Sequence, residues 1–356
     1  METIGEYLVK RLVGEGGMGK VYEAEERLSK RRVALKVLRP ELARTEDGRR
    51  LFLNEMQILA HLEHPNIVRS LASMEVDGQL VMALEFLEGR TLRKELDERR
   101  RIPWQEAVGV VAKIAEALAV AHSQEPPIVH RDLKPENVML TGAAPRCGSD
   151  LKVMDFGIAK VLAAAQATNT QSIGTLQYMS PEQVDARTID ARSDLYSVGL
   201  ILYEMIAGSP PFHSASPREL LNMQCTAAPP ELSDDARQGM PRGVEELLFE
   251  MLEKSPDERP DSAKEVVERL AAFRPAERAA RTTATAPEVA PSAKRIDTVA
   301  LVEQATAPRH VSMRLALLLI LALSLVAGLT VYLVRLRAGV SDPQAPARAT
   351  AARSPG

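Results

Sequence analysis

The chain is short of cysteine and histidine, and it lacks several motifs whose absence removes whole classes of chemistry. Two cysteines, Cys147 and Cys225, are too few and too far apart in 356 residues for a disulfide framework or a structural zinc site. Both are expected as free thiols in a reducing compartment. No paired C-x-x-C, H-E-x-x-H or G-x-S-x-G occurs, so dithiol redox, zinc-peptidase and serine-hydrolase chemistry lack support. Six histidines are scattered; they read as surface or packing residues, and His130 reads as packing within a loop rather than transferring protons. A net charge of −3 gives no general reason to bind nucleic acid. Met1 is followed by charged and polar residues, so no cleavable leader is expected.

Hydrophobic residues at 45% and charged residues at 26% make most of the chain globular, with room for one large or two small domains. Composition divides it further. Residues 1 to about 273 mix apolar and charged segments with regular turn signals. Residues 274–314 are rich in Ala, Thr, Pro, Arg and Glu; burial there cannot offset ordering entropy, which predicts a disordered linker. Residues 315–334, LALLLILALSLVAGLTVYLV, carry no charge. At about 1.5 Å per residue, that run reaches across a hydrocarbon core of ~30 Å, so it is expected to be a single transmembrane helix. Arg314, Arg335 and Arg337 flank it, and Tyr332 stands where an interfacial aromatic often sits. Positive charge is nearly balanced on the two sides and does not orient the span. Residues 335–356 make a tail too short for a folded sensor domain.

Within the globular part, four stretches carry chemistry. GEGGMGKV (14–21) lies between the strand-like runs Tyr7–Val13 and Val21–Ala24. Glycines there allow a backbone to approach phosphate oxygens closely. A Rossmann turn would need a helix directly after them, and Val21-Tyr22-Glu23-Ala24 looks like a strand. Lys36 ends VALK within an apolar strand pattern, an odd place for a merely solvated lysine. Glu55 shares the apolar face of a helix over about 48–61 with Leu51, Ile58, Leu59 and Leu62. No basic residue stands three or four positions away, so this carboxylate is expected either to find a distant partner or to stay hydrated at the rim. HRDLKPEN (130–137) is a loop between the apolar segments Ile128-Val129 and Val138-Met139-Leu140, and DFG (155–157) follows Leu151–Met154. Asp155, at a strand end, is a hard oxygen ligand suited to Mg²⁺, with Mn²⁺ as a substitute.

In this order the four stretches resemble those of the bacterial Hanks-type (eukaryotic-like) serine/threonine protein kinases over roughly residues 7–273. That resemblance implies an α+β, bilobal fold. A small strand-rich lobe (about 7–84) would join, through a hinge at 85–89, a larger helical lobe (about 90–273). The helical lobe includes a helix over 104–122, read from Val108, Val111, Ile114, Ala115 and Leu118. It implies ATP and Mg²⁺ as cofactors, with Val13, Gly14, Glu15, Gly16, Gly17, Met18, Gly19, Val21, Ala34, Lys36, Glu55, Glu85 and Leu87 around the nucleotide. Lys36 would bridge Glu55 and the α- and β-phosphates. Asp132 would orient the attacking hydroxyl, Lys134 contact the γ-phosphate, and Asn137 and Asp155 hold the metal.

The segment from Ile158 to Glu182 then reads as an activation loop, with Thr168, Thr170 and Ser172 as candidate phosphorylation sites and Arg131 placed to pair with a phosphate. Thr175 would contact Asp132 and Lys134. Ser180 stands where the family often has alanine. Glu182 would pair with Arg259, and Asp194 would cap the buried helix DLYSVGLILYEMIAG while holding the backbone of the HRD loop. The implied activity is transfer of the γ-phosphoryl group of ATP to Ser/Thr hydroxyls of proteins, including its own loop. Its place would be the inner membrane, single-pass, with this domain cytoplasmic because ATP and magnesium are there; a homodimer is an expected partner state. The alternatives are a pseudokinase scaffold that binds ATP without transfer, and a kinase of small metabolites.

Overall fold

The structure is a computed structural model, and it describes residues 2–17, 19–142, 150–156 and 176–274. Among the described residues no helix is long and apolar enough to cross a membrane. The apolar run 315–334, most of the linker before it, the tail after it, Met18, Thr168, Thr170, Ser172 and Thr175 lie outside the described residues.

The N-terminal lobe is built on a six-stranded antiparallel sheet in the order β1-β2-β3-β4-β6-β5. The strands are β1 (Thr3–Ile4), β2 (Tyr7–Glu15), β3 (Gly19–Glu26), β4 (Arg32–Leu38), β5 (Ser70–Val76) and β6 (Gln79–Glu85). The sheet therefore starts before residue 7. Strand alternation decides what faces the cleft. Val33, Leu35 and Val37 join Tyr7, Ala24, Val81 and Ala83 in a small core on one face. Ala34, Lys36 and Leu38 fall on the other.

Two helices follow β4: α1 (Pro40–Ala43), a single turn, and α2 (Glu46–His61). The latter begins two residues before the expected 48. Thr45 accepts a hydrogen bond from the Gly48 N–H at 3.1 Å, and Glu46 and Asp47 favour the positive end of the helix dipole.

The second lobe opens with β7 (Gly89–Thr91), which forms a three-stranded antiparallel sheet with β8 (Val138–Thr141) and β9 (Asp150–Val153), in the order β7-β8-β9. Its helices are α3 (Leu92–Arg99), α4 (Trp104–His122), α5 (Pro181–Val184), α6 (Arg192–Ala207), α7 (Pro217–Thr226), α8 (Asp234–Arg237), α9 (Arg242–Met251) and α10 (Ala263–Ala271). α6 is buried on every side from Ser193 to Ile206 and packs against α4 and α9. It stops at Gly208, whose φ of 86° is cheap only for glycine. α4 in turn carries α10, and Arg274 donates to Glu116 on α4 at 2.5 Å, so position 274 belongs to this folded body.

Candidate active site

Directly opposed strand residues share a face. Gly14 pairs with Val21, Val21 with Lys36, and Lys36 with Met82; two residues back along β4, Ala34 pairs with Leu84. Val21, Ala34 and Lys36 thus line one surface of the sheet beneath the β2–β3 turn. In that turn the Gly16 N–H donates to the Gly19 carbonyl at 2.9 Å. None of its described glycines has a positive φ, so sharp bending is not what requires them. A Cβ on Gly19 would stand 2.2 Å from the Val37 carbonyl, which makes that glycine a matter of strand packing. A Cβ on Gly14, Gly16 or Gly17 would meet nothing within 4 Å. The protein's own packing gives no reason for those three, whereas a turn lying close over a polyphosphate would.

Lys36 projects from this surface, and its Nζ donates to Glu55 Oε1 at 2.6 Å and to Asp155 Oδ1 at 2.8 Å. The lysine and Glu55 side chains are 10% and 3% exposed. Glu55 sits among Phe52, Met56, Ile58 and Leu59 on the buried face of α2, and the structure places its partner on the strand above. Burial works against the charge on Lys36, but the Asp155 and Glu55 carboxylates outweigh it and hold the ammonium above the usual lysine range. The Lys36 charge likewise keeps Asp155 below the usual carboxylate range, ahead of the opposing effect of burial. The lysine is therefore a fixed cation, held between one buried carboxylate and one that is half exposed.

The loop after Val129 is shaped from below. Asp194 accepts the N–H groups of His130 at 2.8 Å and Arg131 at 2.9 Å, and also His122 Nε2 at 2.8 Å. Burial alone would raise its pKa; the bond from His122 leads the effects that bring it below the normal value. Asp194 does not cap α6 as the sequence reading expects. Ala191 occupies the cap position with no side-chain bond, and Asp194 lies in the first turn with its oxygens turned to the loop. Of the two settings expected for the histidines, surface or packing, His122 takes the packed one, with its side chain 8% exposed. The two main-chain bonds hold Arg131 at φ 64°, a conformation that costs an L-residue about 1–2 kcal/mol. His130 is fully buried, packs against Phe156 with ring centroids 4.6 Å apart and the planes tilted by 45°, and donates from Nε2 to the Met154 carbonyl at 2.9 Å.

This geometry presents Asp132, Lys134 and Asn137 together. Lys134 Nζ lies 3.3 Å from Asp132 Oδ2, and Asn137 Nδ2 donates to Asp132 O at 2.8 Å and Oδ2 at 3.1 Å. With its NH₂ so engaged, Asn137 has its carbonyl oxygen as the group that could accept a cation. Among the described residues no group of three or more His, Cys, Asp or Glu could hold a metal. Two oxygen donors, Asn137 and Asp155, suit an ion that completes its shell with phosphate oxygens and water, as Mg²⁺ does.

Beyond the site, the end of the Ile158–Glu182 segment is locked to the helical lobe. Glu182 receives both Nη groups of Arg259, at 2.8 and 2.9 Å, and Gln183 Nε2 donates to the Arg131 carbonyl at 2.8 Å. Tyr178 donates to Glu204, which also accepts from Arg93 at 2.7 Å. Glu85 and Leu87 stand at the hinge, the former with its carboxylate 2.6 Å from Lys152 Nζ. The sequence reading misses His122, Gln183, Glu204 and Lys152, because their partners are distant in the chain and no local spacing announces them.

Comparison with known proteins agrees with this arrangement. A probable serine/threonine-protein kinase of Clostridium perfringens is 36% identical over 73% of this chain and 37% of its own length. The serine/threonine-protein kinase PrkC of Bacillus subtilis is 33% identical over 74% of this chain and 39% of its own. The crystal structure of a double mutant of the Mycobacterium tuberculosis PknI kinase domain superposes with a TM-score of 0.58 at 28% identity. It covers 76% of this chain and 97% of that one. The chain thus spans less than two fifths of the length of the first two relatives. The family description "protein kinase domain" matches residues 7–270, most of the two-lobed body, and this chain belongs to that family.

Proposed function

We propose that this chain is a serine/threonine protein kinase that moves the γ-phosphoryl group of ATP onto protein hydroxyls, including those of its own Ile158–Glu182 segment. The observation that carries the reading is the convergence of Lys36, Glu55, Asp155, Asp132, Lys134 and Asn137, from four separate parts of the chain, around one cleft. Lys36 is oriented by Glu55 to meet the α- and β-phosphates. Asp132 accepts the hydrogen bond of the attacking hydroxyl and aims its oxygen; Lys134, already beside that carboxylate, offers a cation to the transferred group. Asn137 and Asp155 would hold Mg²⁺, with Mn²⁺ as substitute, and the ion supplies neutralisation of charge on the transferred and leaving groups. Arg131 Nε is buried without a partner among the described residues, which favours a phosphorylated Thr168, Thr170 or Ser172 as its counter-charge.

The test uses the full chain with Mg·ATP. Labelled phosphate should appear on its own Ser/Thr and on a generic basic protein. Tight ATP binding with no label on either would replace the kinase by a nucleotide-binding scaffold.

The same reading places residues 315–334 across the inner membrane, after a linker, with the kinase lobes on the ATP-containing side and a homodimer formed through the span or small lobe. Full-length protein should sediment with membranes and require detergent, while a chain cut after residue 280 should remain in the supernatant. Equal partition of both would remove the span.

A further inference from the structure

Lys152 stands on β9, three residues before Asp155, which lies beyond the strand's end. Strand alternation buries Leu151 and Val153 completely and turns Lys152 the other way, toward the start of the hinge. There its Nζ donates to Glu85 Oε1 at 2.6 Å and to the Ile67 carbonyl at 3.2 Å. Glu85 Oε1 also accepts the Arg69 N–H at 2.8 Å, and the Glu85 N–H donates to the Arg69 carbonyl at 3.0 Å.

Main-chain bonds already fasten this neighbourhood. The Val153 N–H donates to Asn66 O at 2.8 Å, the Val68 N–H to Val153 O at 3.0 Å, and Asn66 Nδ2 to Leu151 O at 3.0 Å. Segment 66–68 is therefore held to β9 without any help from the lysine. What Lys152 adds is an extension of that clamp to Glu85, the first hinge residue. The Lys152 and Glu85 side chains are 20% and 29% exposed, so solvent screens them in part. Their pairing can adjust a position; the fold does not hang on it.

Resting on the kinase reading above, we propose that Lys152 is a positioning residue. Through Glu85 and the Ile67 carbonyl it holds the hinge main chain at a set offset from Asp155. It thereby matches the adenine end of the cleft to the metal end at Asp155, which follows just past the end of β9. A nucleotide bound at both ends feels an error in that offset as weaker binding, whereas Asp132 and the acceptor hydroxyl do not.

The experiment compares steady-state transfer from Mg·ATP to a generic basic protein by the full chain and its variants. Lys152→Met keeps the apolar stem and loses the ammonium. Its KM for ATP should rise about 3- to 10-fold, as expected for a partly exposed charge-assisted contact, with kcat within about twofold. Its thermal midpoint should stay within about 2 °C of wild type. Lys152→Arg, able to reach both acceptors, should return most of the KM. Lys152→Met combined with Glu85→Gln should raise KM no further than the worse single change. An unchanged KM in Lys152→Met, additive effects in the double variant, or parallel losses of kcat and melting temperature would each overturn the proposal. A wild-type chain with neither Mg·ATP binding nor turnover overturns the kinase reading itself.

Discussion

Asp132→Asn should lower phosphoryl transfer by about 10²- to 10⁴-fold while leaving Mg·ATP binding close to wild type, the range expected for loss of one positioned proton acceptor. The separation of the two effects follows from the geometry. Asp132 touches Lys134 at 3.3 Å and Asn137 at 3.1 Å, whereas the cation that would meet the α- and β-phosphates, Lys36, is oriented by Glu55 and Asp155. An amide at position 132 keeps the shape and can still accept from Asn137 Nδ2, so the loop retains its form; what it loses is the negative charge that would face the hydroxyl. The loop conformation is also secured elsewhere, by the two bonds that Asp194 accepts from the His130 and Arg131 main-chain N–H groups. Initial rates at saturating ATP, set beside a binding isotherm for Mg·ATP, read the two quantities separately. Unchanged transfer would remove Asp132 from the chemistry. Lost binding would mean that its charge serves the nucleotide instead.

What can be read from the chain before folding is local. The spacing of Val108, Val111, Ile114, Ala115 and Leu118 predicts a helix over 104–122, and the structure contains Trp104–His122. The two-lobed architecture is equally legible, since strand periodicity gives way to helical periodicity once, near the hinge. The start of α2 is displaced by two residues because its limit is set by Thr45, a cap outside the apolar pattern. Asp194 shows where such reading fails. An acidic residue opening a helix suggests a cap, but a carboxylate has two oxygens and three donors reach it from another part of the lobe. His122 lies 72 positions from Asp194, and Lys152 lies 67 from Glu85; neither separation leaves a periodic trace. Groups that touch a nucleotide recur in short motifs, so the candidate site is visible in the sequence. Groups that hold those motifs in place are chosen by packing, and they are visible only in three dimensions.

The second large effect is expected at Glu182 and Arg259, whose side chains are 2% and 0% exposed. Arg259 uses all its donors. Two reach Glu182, Nε reaches the Glu253 carbonyl at 2.8 Å, and the others reach the Arg192 and Lys254 carbonyls at 3.0 and 3.1 Å. The guanidinium also lies 4.8 Å above the Tyr196 ring. Glu182→Ala strands that cation in the interior and should cost about 3–5 kcal/mol, the usual loss on breaking a buried pair. Arg259→Lys keeps the charge but cannot match five acceptor directions, so it should recover little. An apolar pair at both positions, often neutral for buried ion pairs, should also fail here, because three main-chain carbonyls would lose their donor. The pH dependence has a definite sign. Burial pushes the Glu182 carboxyl up, but the bonds from Arg259 and Ser193 bring it below the ordinary value. A carboxyl depressed in the folded state adds stability above its unfolded pKa of about 4.3, and that contribution is lost as pH falls through the lower folded value. Denaturant titrations of wild type and Glu182→Gln between neutral and acid pH should therefore converge as acid removes what the mutation has already removed. Parallel curves, or a loss under about 1 kcal/mol at neutral pH, would mean that the end of the Ile158–Glu182 segment is anchored by something other than this pair.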